Sequence, residues 1–347
     1  MRKEILVAPL NWGLGHATRC VPIINFLIKY NYHPIIASDG EALLFLQKEF
    51  PTLSTIELPS YNITYSKNLK IGLLFQFPKI VKAIRKEKTL INNLIAENKH
   101  IVGIISDNRF GVRSSQVWSV YLTHQIQVLS GLSTKITSWF HRRMINRFDE
   151  CWVPDTAERT FSGKLSETNK LLIPVKFIGI LSRFTKQKLP IENDILIVLS
   201  GIESQRNSLE KKLLEAFKNY VGNVVLVQGK IDDTQTEKHI DGVKVYNYLL
   251  STELANEINK AALVICRSGY SSIMDLSALE KKAFFIPTTY QSEQEYLAAY
   301  LEKNKMVPFS NQKAFNLKQL NDVNRYSGLS QSTTKLSPKL FRFFKRK

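Results

Sequence analysis

The sequence predicts an α/β fold of two open, doubly wound parallel-sheet domains facing a central cleft. Three observations predict it. Short apolar strand-like runs alternate with segments of helical periodicity, in two successive series. Several of the runs end in small-residue or polar turns that open a helix. The two series are joined by Phe177-Ile178-Gly179-Ile180-Leu181-Ser182-Arg183 and the polar stretch Thr185 to Asn193, the composition of a domain boundary. A chain of 347 residues, 44% of them hydrophobic, is long enough for two cores.

In the first half the strand-like runs are Ile5–Ala8, Pro34–Ala37, Ile101–Ser106, Val117–Leu122 and Cys151–Val153. Helical stretches fall at Ala17–Tyr30, Ala42–Phe50 and Ile80–Asn98. The second series runs through Ile195–Leu199, Val224–Val227, Val243–Tyr246, Leu263–Cys266 and Phe284–Pro287. The expected domains are 1–178 and 185–318, followed by a segment 319–347 with a basic amphipathic tail.

No run approaches the ~20 apolar residues that cross a bilayer. The first strand passes straight into a glycine turn, unlike a signal peptide. Cys20, Cys151 and Cys266 are far apart and odd in number, as reduced thiols of a cytoplasmic protein would be, and no pair has metal-ligand spacing. A net charge of +18 predicts attraction to a polyanion: nucleic acid, anionic lipid or a phosphorylated substrate. In Ser337 to Lys347 the cations Lys339, Arg342, Lys345, Arg346 and Lys347 alternate with Leu340, Phe341, Phe343 and Phe344, without an acid. That mixture suits an anionic membrane surface better than a nucleic-acid groove, with a disordered solubilising tail as the plainer reading. Tyr61 to Lys99 repeats it, with Leu73, Leu74, Phe75 and Phe77 beside Lys67, Lys70, Lys79, Lys82, Arg85 and Lys86. So does Trp139 to Phe148, with His141, Arg142, Arg143 and Arg147. A solvated helix face would account for either stretch. With no stacking motif or recognition helix, nucleic acid is not an expected partner.

Open parallel sheets bind ligands outside the carboxyl ends of their strands. After Leu263–Cys266 come Arg267-Ser268-Gly269 and then a helix opened by Ser271-Ser272, with Ile273, Leu276 and Leu279 at helical spacing. A glycine permits close backbone approach, and a helix start offers unpaired N–H groups and a positive dipole end, which together suit phosphate. Asp275, one turn in, has a carboxylate able to accept both hydroxyls of a ribose. An ordinary strand–helix turn fits the same residues. In the first half, Asn11-Trp12-Gly13-Leu14-Gly15-His16 ends the first strand. A neutral His16 there can take a proton from a hydroxyl or donate to a phosphate, and Arg19, one turn on, can add a phosphate contact. A histidine tied into the turn is the alternative. Ser106-Asp107-Asn108-Arg109-Phe110-Gly111 presents a carboxylate at a strand end, either a turn-former or a general base. His124 holds a similar edge position with an open role. Leu199-Ser200-Gly201-Ile202-Glu203-Ser204-Gln205-Arg206 follows the first strand of the second domain, and Arg206 can neutralise a diphosphate. Thr288 to Glu295 carries amides and carboxylates suited to sugar hydroxyls.

In this order the turns resemble those of the GT-B glycosyltransferases, nearest the MurG-like branch of family 28, typified by the enzyme that adds N-acetylglucosamine to lipid I. The family's G-x-G-G-H-type loop is matched by Gly13-Leu14-Gly15-His16. Its donor signature C-R-S-G-x-x-[ST]-x-x-E is matched by Cys266-Arg267-Ser268-Gly269-Tyr270-Ser271-Ser272-Ile273-Met274-Asp275, with Asp for Glu. The proline-started loop with paired Gln is matched by Pro287 and Gln294-Glu295-Tyr296. The chain departs from the family at Ser200-Gly201-Ile202-Glu203-Ser204, which keeps one glycine of G-G-S-x-G, and at Glu295.

The resemblance implies two Rossmann-like domains and inverting transfer from a UDP-sugar. It places the donor on Arg183, Gly201, Arg206, Arg267, Ser268, Gly269, Tyr270, Ser271, Ser272, Asp275, Gln294 and Glu295, with uracil by Tyr246–Leu250. His16 is the first candidate for the base and Asp107 the second. Gly13, Gly15, Arg19, Asn108, Arg109 and His124 fall to the acceptor side. UDP-sugar is a substrate, not a cofactor, and a helix dipole with arginines can stabilise the departing diphosphate without a metal. The implied acceptor is lipid-linked or a cell-envelope glycan, met by a cytoplasmic protein peripherally bound to the inner membrane face. A UDP-sugar 2-epimerase-like enzyme and a non-catalytic UDP-sugar-binding subunit share the same architecture.

Overall fold

The computed structural model describes residues 3–61, 69–329, 336–344 and 347, without the side chains of 69–77 and 132. The expected acceptor-side residues Lys67, Lys70, Leu73, Leu74, Phe75 and Phe77, and the tail cations Lys345 and Arg346, lie outside the described residues or side chains. The chain divides into two compact units, one of Met1–Trp12, His16–Leu181 and Thr334–Lys347, the other of Gly13–Gly15 and Ser182–Thr333.

The first unit holds a seven-stranded parallel sheet. Its strands are β1 (Glu4–Pro9), β2 (His33–Ser38), β3 (Thr55–Glu57), β4 (Ile101–Asp107), β5 (Trp118–Leu122), β6 (Glu150–Val153) and β7 (Val175–Phe177), in the order β3-β2-β1-β4-β5-β6-β7. Helices α1 (Leu14–Lys29), α2 (Gly40–Glu49), α3 (Leu69–Glu97) and α4 (Thr134–Ile145) intervene. Every residue of β1 is buried, as in a strand covered on both faces, which is why it reads as one apolar run rather than an alternation. Ile91 and Ile95 of α3 pack with Leu6, Ala8 and Ile104 on one face.

The second unit holds β8 (Asn193–Val198), β9 (Val224–Val227), β10 (Glu237–Ile240), β11 (Val243–Tyr246), β12 (Ala261–Cys266) and β13 (Ala283–Phe285), in the order β10-β11-β9-β8-β12-β13. All pairs are parallel except β10 with β11. Helices α5 (Glu203–Phe217), α6 (Ser251–Lys260), α7 (Tyr270–Leu279) and α8 (Ser292–Lys303) complete it. Leu209, Leu213 and Phe217 of α5 meet Ile195, Ile197, Val224 and Leu226 of the sheet. The core continues through Phe315 and Val323, so this unit runs past residue 318.

These are the two doubly wound parallel sheets that the alternating pattern predicted. The strands it did not foresee, β3, β7 and β10, are three- or four-residue edge strands. They are too short for periodicity to register.

The tail differs in kind from its expectation. Phe341, at the end of α9 (Pro338–Phe341), stacks on Phe26 at 4.7 Å between ring centroids and meets Trp152 edge-on at 5.3 Å. Phe344 lies over Gly103, where a Cβ would collide with its ring. Both phenylalanines are buried. Lys347 donates its backbone N–H to the Gln116 carbonyl at 2.7 Å and its ammonium pairs with Asp149. Phe341 and Phe344 are thus core residues of the first unit, while Phe343 stays 45% exposed. Burying the first two there stabilises more than exposing them at an interface.

Candidate functional site

In each sheet the strand order reverses once, between β1 and β4 in the first unit and between β8 and β12 in the second. Such switch points leave a crevice at the carboxyl ends of the two diverging strands. The chemistry-bearing turns sit at both.

At the first switch point Pro9 and Asp107, the last residues of β1 and β4, are register partners. Gly13, at φ +76°, turns the chain into α1, and Gly15 lies in its first turn. His16 and Arg19 are three residues apart on that helix and so share a face. Both reach Asp107. His16 Nδ1 is 2.8 Å from Asp107 Oδ1, and Arg19 donates through Nε to Oδ2 at 2.5 Å and through Nη2 to Oδ1. Arg19 Nη1 lies 2.9 Å from His124 Nδ1. Asp107 and Arg19 are buried, while His16 keeps 15% of its side chain exposed. Burial pushes the Asp107 carboxyl up, but Arg19 first and His16 second outweigh it and hold it at about 2. An ionised carboxylate only accepts. Arg19 Nη2 also lies 2.9 Å from His16 Nδ1, so Nδ1 faces both an acceptor and a donor, and Nε2 carries the lone pair only in the tautomer that donates to Asp107. In that tautomer the arrangement can orient an imidazole as a base, with the buried, ionised Asp107 as its partner.

The neighbouring candidates are placed differently. Arg109 is fully buried, donating to the Pro9 carbonyl at 3.1 Å, to Glu87 at 2.9 Å and to Asp39. Tyr61 donates to the other Glu87 oxygen at 2.8 Å. Arg109 thus pins the ends of β1 and β2 to the middle of α3, with all three guanidinium nitrogens engaged. Asn108, at φ +58°, accepts from the Tyr121 hydroxyl at 2.9 Å. Asp39, Glu87 and Tyr61 were not foreseen, because their partners are 22 to 70 residues away.

At the second switch point Gly201, at φ +96°, follows β8, and Gly269 is the N-cap of α7. Gly269 has an ordinary φ of −72°, and a Cβ there would meet only the Ser272 hydroxyl at 3.9 Å. No backbone demand explains this glycine; it keeps the space before the α7 N-terminus open. Tyr270, Ser271 and Ser272 form the first turn, with Tyr270 buried and both serines partly exposed. Asp275 accepts from the Ser182 hydroxyl at 2.7 Å. Desolvation raises its carboxyl to about 6, against the lowering influence of Arg183 and Ser182. Arg183 itself donates to the Ser251 hydroxyl at 3.1 Å. Arg206, on α5, donates to the Gly229 carbonyl at 2.7 Å, and its buried Nε has no partner.

Arg267 is fully buried and donates to the carbonyls of Ile286, Pro287 and Gln205 and to the Gln312 side chain, at 3.0 to 3.1 Å. It braces the loops around the switch point through Nη1 and Nη2, and its buried Nε has no partner. Ser268 donates to the Gln294 carbonyl at 2.8 Å, while the Gln294 amide oxygen accepts from Thr288 N–H at 2.8 Å. Glu295 accepts from Tyr290 N–H at 2.9 Å. Both side chains therefore hold the 288–291 loop in shape. In Tyr246–Leu250, Tyr248 and Leu249 are buried, and Leu250 N–H is capped by Glu253 at 3.1 Å. Among the described residues no three of His, Cys, Asp and Glu gather as a metal site would require, and no helix is long and apolar enough to cross a membrane.

Residues 196–333 match the Glycosyltransferase family 28 C-terminal domain. Two similar curated proteins are UDP-N-acetylglucosamine--N-acetylmuramyl-(pentapeptide) pyrophosphoryl-undecaprenol N-acetylglucosamine transferases. That of Clostridium perfringens (strain SM101 / Type A) is 28% identical over 307 residues, covering 83% of this chain and 79% of its own. That of Buchnera aphidicola subsp. Schizaphis graminum is 24% identical over 244 residues, and the chain spans only 64% of its length. Among solved structures, the glycosyltransferase SnogD from Streptomyces nogalater has a TM-score of 0.61 at 12% identity, over 93% of this chain and 91% of its own. A putative UDP-N-acetylglucosamine 2-epimerase from Listeria monocytogenes has a TM-score of 0.60 at 12% identity, over 93% and 88%. These likenesses are of fold, and the fold is GT-B.

Proposed function

We propose that this chain of GT-B fold, whose residues 196–333 match the family 28 C-terminal domain, is a glycosyltransferase that transfers a sugar, with inversion, from a UDP-sugar to a hydroxyl of a lipid-linked or cell-envelope glycan acceptor. The observation that carries this reading is the His16–Asp107 pair at the first switch point, 2.8 Å apart. A subunit that only binds nucleotide has no use for a carboxylate-oriented imidazole. The curated relatives, whose names specify a UDP-N-acetylglucosamine donor and an undecaprenol-linked acceptor, support the substrate classes.

In the proposed reaction the acceptor O–H gives its proton to His16 Nε2. The acceptor oxygen forms its bond to the anomeric carbon as the bond from that carbon to the β-phosphate oxygen breaks, and the electron pair leaves on UDP. The second unit holds the donor, with the diphosphate before the α7 N-terminus at Gly269, Ser271 and Ser272, and the ribose hydroxyls on Asp275. The dipole of α7 and the cation of Arg206 take up the negative charge that develops on the diphosphate, so the step as written needs no metal. Gln294 and Glu295 read the sugar while bracing their loop. The enzyme works at the inner face of the membrane, where a lipid-linked acceptor is presented.

The test is UDP release from a panel of UDP-sugars, with and without envelope lipid extract, for the native chain and His16→Ala. Acceptor-dependent release that the variant loses supports the proposal. Free sugar or epimer released without acceptor would replace it by the epimerase reading. UDP binding with no turnover on any extract would leave a binding subunit.

A further inference from the structure

Tyr290 sits in the left-handed region of backbone space, at φ +66°, and is 76% exposed. A bulky residue at positive φ is an outlier that persists only where its surroundings fix it. The other non-glycine residues at positive φ among those described, Asn31, Asn108, Arg159, Asp241, Glu280 and Lys305, are all polar or charged. Glu280 closes α7, an ordinary use of the left-handed conformation. Tyr290 closes no helix; it stands just before the start of α8.

Its surroundings do fix it. Gln291 N–H bonds the Thr288 carbonyl at 3.1 Å, so residues 288–291 form a turn with Tyr290 third, the place glycine or asparagine usually takes. Glu295 accepts from Tyr290 N–H at 2.9 Å, and Gln294 accepts from Thr288 N–H at 2.8 Å. A glutamine at 295 could present either a donor or an acceptor to the Tyr290 N–H. A carboxylate only accepts, and it accepts more strongly. Glu295 is therefore the residue that pins the strained turn, which gives the acid in the pair Gln294-Glu295 a physical reason. A ring so exposed adds little to packing, so stability does not account for keeping the strain.

Location says what the ring meets. Strands β12 and β13 run in parallel register to their ends, with Cys266 opposite Phe285, and their following turns lie side by side at the carboxyl edge. The Ser268 hydroxyl ties the two turns by donating to the Gln294 carbonyl at 2.8 Å. The first turn leads into the proposed diphosphate site, and the group joined to the β-phosphate reaches the second. In a UDP-sugar that group is a pyranose, with C–H-rich faces and a rim of hydroxyls. An exposed tyrosine offers its apolar ring to the faces, and its hydroxyl and the adjacent carboxylate suit the rim.

We propose that the Tyr290 ring is the platform on which the donor sugar stacks, selecting among UDP-sugars, with Glu295 holding the ring in place. This rests on the proposed function and deepens it by adding a residue that reads the face of the sugar rather than its hydroxyls.

The test is calorimetric titration of the full chain with UDP, UDP-N-acetylglucosamine, UDP-glucose and UDP-galactose, for the native protein, Tyr290→Phe, Tyr290→Ala and Tyr290→Gly. The UDP-sugar that the native chain binds best should bind the Ala and Gly variants about five- to tenfold more weakly, with UDP itself near native and Tyr290→Phe keeping the sugar. Tyr290→Gly should melt at or above native because the strain is relieved, whereas a purely structural role would lower Tm together with affinity. Unchanged sugar affinity in the Ala and Gly variants would overturn the platform. So would an equal loss of UDP, which puts the ring on the nucleotide, or an effect confined to the KM of the acceptor, which puts it on the other substrate. A native chain that responds to neither UDP nor any UDP-sugar would count against the proposed function instead.

Discussion

His16 Nδ1 lies 2.8 Å from Asp107 Oδ1, across 91 residues of sequence. Strand pairing makes the contact possible: β1 and β4 are neighbours and end in register, so the first turn of α1 stands over the last residue of β4. Arg19, one turn along, holds the same carboxylate ionised. The imidazole keeps 15% of its side chain exposed, while the carboxylate and the guanidinium that pair with it are buried.

Replacing His16 by Ala should lower kcat by about 10²-fold or more and leave UDP affinity near native. Asp107→Asn should lower kcat by a similar order, because an amide can donate to Nδ1 and favour the wrong tautomer. Steady-state kinetics beside UDP titration checks both, and unchanged kcat in His16→Ala would remove the imidazole from the mechanism.

Asp107→Asn should also cost about 3 kcal/mol of stability at neutral pH, since it leaves Arg19 buried without its counter-charge. The folded carboxyl lies at about 2, below its ordinary 3.8, so ionised Asp107 stabilises the fold above pH ~4 and that contribution fades as pH falls toward 2. The gap in Tm between native and variant should therefore narrow on acidification. A gap independent of pH would mean the loss comes from packing.

Asp275 shifts the other way, to about 6. Its ionised form is the one that accepts two ribose hydroxyls, so UDP-sugar affinity should rise from pH 5 to pH 7 and level off above. A UDP-sugar is the proper probe, because its diphosphate diester does not titrate in that window. Calorimetric titration should show the slope in the native chain and a flat, weaker profile in Asp275→Asn. In the unliganded protein the raised carboxyl works against stability as pH climbs from about 4 through 6.

The two loop glycines of the second unit should behave differently. Gly201→Ala forces a side chain to φ +96° and should cost about 1–2 kcal/mol. Gly269→Ala meets neither strain nor collision. It should leave Tm near native and weaken UDP roughly tenfold by filling the space before the helix N-terminus. Thermal melts with and without UDP separate the two effects.

Phe344→Ala should destabilise the first unit by about 3–5 kcal/mol, the cost of emptying a packed aromatic site against Gly103 and Trp152. Denaturant unfolding checks the value. A near-neutral result would return the tail to the surface.

Local chemistry was legible in the sequence where it lay within a few residues. The turn Arg267 to Ser272 and the helix after it were readable because a strand, a glycine and a helix start follow one another directly. The paired sheets were readable from the alternation of apolar runs. Arg267 and Arg109 read as ligand groups for one reason: a charged residue beside a candidate site reads so until its partners are known. Those partners were the carbonyls of Ile286, Pro287 and Gln205 with the Gln312 side chain in one case, and Asp39 and Glu87 in the other.

By itself the sequence determined the two α/β units and the switch-point turns, because periodicity and turn chemistry are short-range properties. Only the tertiary structure decided which charges face outward. It joined Asp107 to His16, engaged Arg109 and Arg267 in bracing, buried Phe341 and Phe344, and left Trp139 and Phe140 bare. Those outcomes depend on which strands lie side by side and which helix face meets the sheet. Both are set by packing between residues far apart in the chain.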